Sequence, residues 1–122
     1  MTLLSTYLEA WGRGDVDGVL ATLADGCVVV DQDGALLRGR EHVASVMWQW
    51  LDDGWVVHRL EVSDETSDQD VLTAQWTAEV TWHGVRATVE GRSVAHVRDG
   101  AISYLRGYTR EPLGDWDGTW QP

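Results

Sequence analysis

Three side chains in this sequence have the chemistry and the placement to move a proton: Asp31, Tyr7 and His58. Asp31 closes the apolar run Cys27 to Val30, at the exit of what reads as a short strand. Tyr7 is the single phenol on an apolar face made by Leu3, Leu4, Leu8 and Trp11, which recur at helical spacing. His58 shares a period-two face with Val56, Leu60 and Val62. A carboxylate walled by Trp and Met loses solvation and becomes a usable general base. A phenol beside it can donate to a developing oxyanion, a role worth roughly 3 kcal/mol for one donor. An imidazole can assist near neutral pH, or simply bond a polar ligand atom. Each group also has a plainer reading. Asp31 can open a solvated turn with Gln32, Asp33 and Gly34, Tyr7 can be a core tyrosine, and His58 can be a satisfied core histidine.

The elements that must position these groups follow from periodicity. The first helix stops at Gly12 and Gly14. Asp15 then caps a second helix, whose buried face is Val16, Val19, Leu20 and Leu23, before Gly26 ends it. After the strand to Val30 come a turn at Asp33-Gly34 and a short extended piece. A third helix runs from about Arg40 to Leu51, with Val43, Met47, Trp50 and Leu51 on one face. From Trp55 the pattern changes to alternation. Trp55, Val57, Arg59 and Glu61 oppose the His58 face, and SDETSDQD (63–70) reads as a mobile loop. Leu72, Ala74, Trp76, Ala78, Val80 and Trp82 point inward from the next strand. After His83-Gly84, so do Val85, Ala87, Val89, Gly91, Ser93, Ala95 and Val97, with Arg86, Glu90, Arg92, His96 and Arg98 outward. Asp99-Gly100 signals a hairpin into a last strand, Ala101 to Tyr108. The order predicts an α+β fold, a strongly curved, antiparallel-rich sheet wrapped around three N-terminal helices. One domain spans 1–111. The tail 112–122 is acidic and carries Trp116 and Trp120, at least one of which is expected to dock on this subunit or a neighbour.

Composition narrows the partners. Twenty acids against nine bases, a net charge of -11, argue against nucleic acid and anionic membranes, both of which need a clustered basic face. All nine bases are Arg, so lysine Schiff-base chemistry is excluded. No apolar run approaches the roughly 20 residues of a membrane span. Cys27 is the single cysteine and no intrachain disulfide is possible; with no signal-peptide layout at the N-terminus, a cytoplasmic protein is expected. Cys27 reads as a buried, inert thiol. No metal and no cofactor are expected, since the histidines lack ligand spacing and no phosphate loop or dinucleotide fingerprint occurs. Eight Trp and no Phe suit a core or the walls of a pocket for ring-shaped ligands.

The stretch from Thr6 to Gly34, an aromatic helix, a G-D-x-D-G turn, "L-A-D" and a strand ending on a carboxylate, resembles the opening of the nuclear transport factor 2-like superfamily, in particular its SnoaL-like polyketide cyclase and ketosteroid isomerase branches. The resemblance implies a cone-shaped α+β fold, with Tyr7 on the oxyanion-binding tyrosine and Asp31 on the general-base aspartate. It also implies a homodimer through the outer face of the sheet, for which Val94, Tyr104 and Trp55 are suited. Ser93 and Val94 stand where an isomerase-like acidic donor or a SnoaL-like histidine is expected. Gly107 stands where limonene epoxide hydrolase-like members carry a catalytic aspartate, and Leu105 where they carry tryptophan.

Together these readings predict a small-molecule enzyme with an apolar pocket, doing cofactor-independent proton transfer next to a carbonyl. The reaction would be an isomerisation or an aldol-type cyclisation of a cyclic or polyketide-like compound. Asp31 is the base, Tyr7 the oxyanion donor and His58 an assistant; Trp11, Met47, Trp50, Trp76, Ser93 and Leu105 line the cavity. The alternatives are a binding or assembly module in which nothing reacts, and an epoxide-opening enzyme.

Overall fold

A computed structural model describes residues 2–31 and 34–110, the last by its backbone alone. Gln32, Asp33 and the tail from 111, with Trp116 and Trp120, lie outside the described residues.

Helix α1, Leu3–Gly12, starts at a reciprocal cap: the Thr2 hydroxyl accepts the Ser5 N–H and the Ser5 hydroxyl accepts the Thr2 N–H. Its buried face holds Leu4, Tyr7 and Leu8. Gly14, at φ 66°, turns the chain into α2, Val16–Leu20, where an Asp15 carboxylate oxygen accepts the Gly18 N–H at 3.0 Å. Helix α2 is shorter than its apolar spacing predicts. The Thr22 hydroxyl donates to the Val19 carbonyl, and the Ile102 N–H reaches the Thr22 carbonyl, so the chain enters strand β1, Leu23–Val30, at once. Leu23 is buried by the sheet rather than by a longer helix.

Strand β2, Leu36–Arg38, pairs antiparallel with β1, and Gly39 at φ 85° opens helix α3, Arg40–Asp52. Val43 and Met47 are its buried residues. Four strands follow: β3, Val56–Asp68; β4, Val71–Trp82; β5, Val85–Arg98; and β6, Ala101–Arg110. The sheet order is β2-β1-β6-β5-β4-β3, with only the β1–β6 pair parallel. The result is the expected α+β fold: a curved, open sheet with three helices against one face. His83-Gly84 and Asp99-Gly100 have positive φ at both residues, the geometry of tight two-residue hairpin turns.

Two expectations about β3 are corrected. The polar stretch 63–70 is not a loop: Thr66, Ser67 and Asp68 pair with Thr73, Leu72 and Val71, leaving only Gln69-Asp70 as the turn. Backbone pairing to β4 overrides the weak strand propensity of these side chains. The register of β3 also slips between Val57 and Arg59, so the alternation inverts there. Val57 faces the interior opposite Val80, and Leu60 does so again opposite Ala78.

Candidate active site

Strand β1 buries Cys27, Val29 and Val30, and half-buried Asp31 follows at its exit. Its parallel register with β6 sets Val29 beside Leu105 and Val30 beside Arg106. The ladder ends there, one residue before Asp31 on one strand and before Gly107 on the other. Tyr7 lies above this row and is 6% exposed. Burial, chiefly, pushes its phenol well above the ordinary tyrosine range, and the negative charges that Cys27 and Asp31 can carry add to the shift. Tyr7 is therefore a protonated donor at neutral pH, within electrostatic reach of the Asp31 carboxylate. Cys27 is fully buried, and burial raises its thiol pKa.

Both readings of Asp31 hold at once. One carboxylate oxygen accepts the Ala35 N–H at 3.0 Å, while the Asp31 N–H donates to the Ala35 carbonyl and its own carbonyl accepts the Gly34 N–H. The turn fixes the half-buried carboxylate at the end of β1.

Among the described residues the inner face is open at Gly107. Gly107 pairs with Ser93, and among the described residues a Cβ on Gly107 would meet only the Ser93 Oγ, 4.0 Å away. Leu105 is buried on the same face. Ser93, 3% exposed, accepts the Trp76 indole N–H at 3.2 Å. Trp76 crosses to the neighbouring strand so closely that a Cβ on Gly91 would lie 2.3 Å from its ring. The Trp76–Ser93 pair therefore forms one wall of the open region. Met47 is buried in the hydrophobic core, and half-buried Trp11 packs against it.

His58 does not join the site. It is the extra residue at the β3 slip, exposed, with Nε2 at 2.7 Å from the hydroxyl of Thr81 on the outer face. The inward placement expected from alternation is thus corrected, because one bulge residue flips the faces on either side of it.

Trp50 belongs to an assembly that the sequence did not disclose. Trp11 and Trp50 have ring centroids 4.3 Å apart, Trp50 stacks on Trp55 at 5.1 Å, Trp55 on Trp82 at 5.0 Å, and Trp82 on His83 at 4.0 Å. Trp55, expected on the outer face, is instead inside this column. The Trp82 indole N–H donates to Asp53 at 2.7 Å, and His83 lies 3.7 Å from the same carboxylate. The one signal available in advance was the abundance of Trp.

Among the described residues, no three His, Cys, Asp or Glu side chains cluster to hold a metal ion, and no helix is long and apolar enough to cross a membrane.

A curved, open six-stranded sheet with N-terminal helices is the nuclear transport factor 2-like fold. Within that class the chain belongs to the SnoaL-like domain family, whose profile matches residues 4–105. No curated protein sequence matches it. Among solved structures, it is similar to a candidate polyketide cyclase from Xanthomonas campestris pv. campestris, at 25% identity and a TM-score of 0.74, covering 87% of this chain and 86% of that one. It is also similar to a hypothetical protein with a ketosteroid isomerase-like fold from Catenulispora acidiphila, at 17% identity and TM-score 0.78, covering 87% and 83% of the two chains. An LEH-like epoxide hydrolase from M. tuberculosis aligns at 20% identity and TM-score 0.75, covering 88% and 80%.

Proposed function

We propose that this protein is a cofactor-independent enzyme that moves a proton next to the carbonyl of a compact cyclic or polyketide-like compound, by isomerisation or aldol-type cyclisation. The observation that carries the reading is a buried, protonated Tyr7 within electrostatic reach of the Asp31 carboxylate, with space at Gly107 on the inner face among the described residues. Asp31 takes a proton from the carbon adjoining the carbonyl. The C–H electron pair moves into a new C=C bond as the carbonyl π pair moves to oxygen, and the Tyr7 O–H donates to that enolate oxygen. The proton on Asp31 returns to a different carbon in an isomerisation. In a cyclisation the enolate carbon attacks a second carbonyl of the same molecule, and the alkoxide so formed takes the proton. His58 is outside this scheme.

The unassigned substrate need not be known to test the base. The wild-type protein is expected to speed hydrogen–deuterium exchange at the carbon beside the carbonyl of α-tetralone in deuterium oxide, read by NMR. Asp31→Asn is expected to slow that exchange by about a hundredfold or more while binding persists. Exchange unchanged by Asp31→Asn overturns the assignment.

A second reading, a binding module, is favoured by one specific observation: Asp31 and Ser93 both already hold partners, the Ala35 N–H and the Trp76 indole. Under it, α-tetralone binds but does not exchange. The epoxide-opening alternative predicts conversion of a cyclic epoxide to its diol, lost in Asp31→Asn. A homodimer through the outer face is part of the proposal; the Arg106 guanidinium over the Tyr108 ring at 5.1 Å and the edge-on His96–Tyr104 pair at 5.4 Å put aromatic side chains there.

A further inference from the structure

Resting on that reading of the site, we infer that Trp76 sets the length of the ligand, admitting one or two fused rings and rejecting longer ring systems. Two glycines on the inner face carry the argument by contrast. Among the described residues, Gly107 on β6 has only the Ser93 Oγ within 4.0 Å of a Cβ built on it, whereas the space above Gly91 on β5 is filled by the Trp76 indole, which a Cβ there would overlap at 2.3, 2.5 and 2.8 Å. The indole starts on β4, crosses to β5 and is tethered there by its N–H to the Ser93 hydroxyl at 3.2 Å. Ser93 is itself 3% exposed and Ala74, its neighbour across the ladder, is 1% exposed, so the tether is held from below. An indole with its plane against a backbone and its N–H bonded cannot swing aside without losing both contacts.

The free span is therefore limited at both ends. Asp31 on β1 closes one end and the tethered indole over β5 closes the other, with β6 between them. Two strand spacings amount to about 10 Å between backbones, room for one or two fused rings once side chains are counted. A four-ring skeleton, at roughly twice the length of two fused rings, has to displace Trp76.

Calorimetric titration with cyclohexanone, α-tetralone and testosterone as probes tests this. Wild type is expected to bind α-tetralone at least about tenfold more tightly than testosterone, and Trp76→Ala to cut that ratio about tenfold or more. Ser93→Ala, which frees the indole but keeps it, shifts the ratio in the same direction by less. Gly107→Val, which fills the open region and whose Cβ meets the Ser93 hydroxyl at 4.0 Å but no atom of Trp76, weakens α-tetralone in an otherwise wild-type background. If Trp76→Ala does not fold, Ser93→Ala alone decides the length limit. A wild-type ratio near one, or a ratio unmoved by both Trp76→Ala and Ser93→Ala, overturns the length limit alone. Failure of every probe to bind wild type, or α-tetralone binding untouched by Gly107→Val, overturns the site reading and the limit with it.

Discussion

The indole of Trp55 lies parallel to that of Trp82, their planes 9° apart and their centroids 5.0 Å apart, and the far side of Trp55 is covered in the same way by Trp50. Trp55 thus links helix α3 to the β4–β5 hairpin. Asp53, one residue past α3, accepts the Trp82 indole N–H and closes the link. Trp55→Ala removes the middle ring and is expected to cost about 2 kcal/mol, less than a fully buried Trp because Trp55 is half-buried. Urea unfolding gives the loss. Near-ultraviolet circular dichroism reports the stack itself, and a spectrum unchanged by the substitution would contradict the column.

Gly91 and Trp76 are coupled by space. Adding one methyl at Gly91 places it inside the van der Waals radius of the indole, so Gly91→Ala is expected to destabilise by about 1 to 3 kcal/mol. The conflict disappears with the ring. In the double variant Gly91→Ala/Trp76→Leu the two losses therefore add to less than their sum, a shortfall measurable by a double-mutant cycle. Strict additivity would mean that the indole lies elsewhere.

Tyr7 gives the stability a pH dependence whose sign is fixed. Its folded pKa lies above its ordinary value of 10.0, chiefly through burial, so the folded state holds the phenolic proton more tightly than the unfolded chain does. That contribution is complete below about pH 10 and is lost as pH rises beyond it. Cys27, raised in the same way from 9.0, acts with the same sign. Tyr7→Phe should remove most of the alkaline loss. In a phenolate absorbance titration of wild type, one of the three tyrosines should ionise only as the protein unfolds. Three tyrosines titrating together in the folded protein would refute the burial argument.

Tyr7→Phe also tests the chemistry. Deleting one donor to the enolate is expected to slow α-tetralone exchange about a hundredfold, with binding little changed. Comparable losses in binding and rate would indicate that the hydroxyl holds the ketone equally in both states.

His58 supplies the contrasting case. As an exposed bulge residue bonded to Thr81, it should be replaceable by Ala with stability changed by within about 0.5 kcal/mol and with exchange activity retained. A large loss of exchange would return it to the active site.

What the sequence by itself determined is mostly local. The cap at Asp15, the two-residue turns at His83-Gly84 and Asp99-Gly100, and the alternation along β4 and β5 depend on neighbours a few positions away, and these parts were legible without coordinates. Tyr7 and Asp31 were legible for the same reason: one is set by helical spacing and the other by a strand's exit. Tertiary structure decided the rest. A helix continuing to Leu23 and a strand beginning there bury the same side chain, and only the pairing of Leu23 with Ile102 chooses between them. The slip at His58 exists only relative to β4, so no pattern within β3 could place the imidazole outside. The aromatic column and the Trp76 wall draw on residues far apart in the chain, and stacking depends on the distances and angles between rings, which composition does not encode.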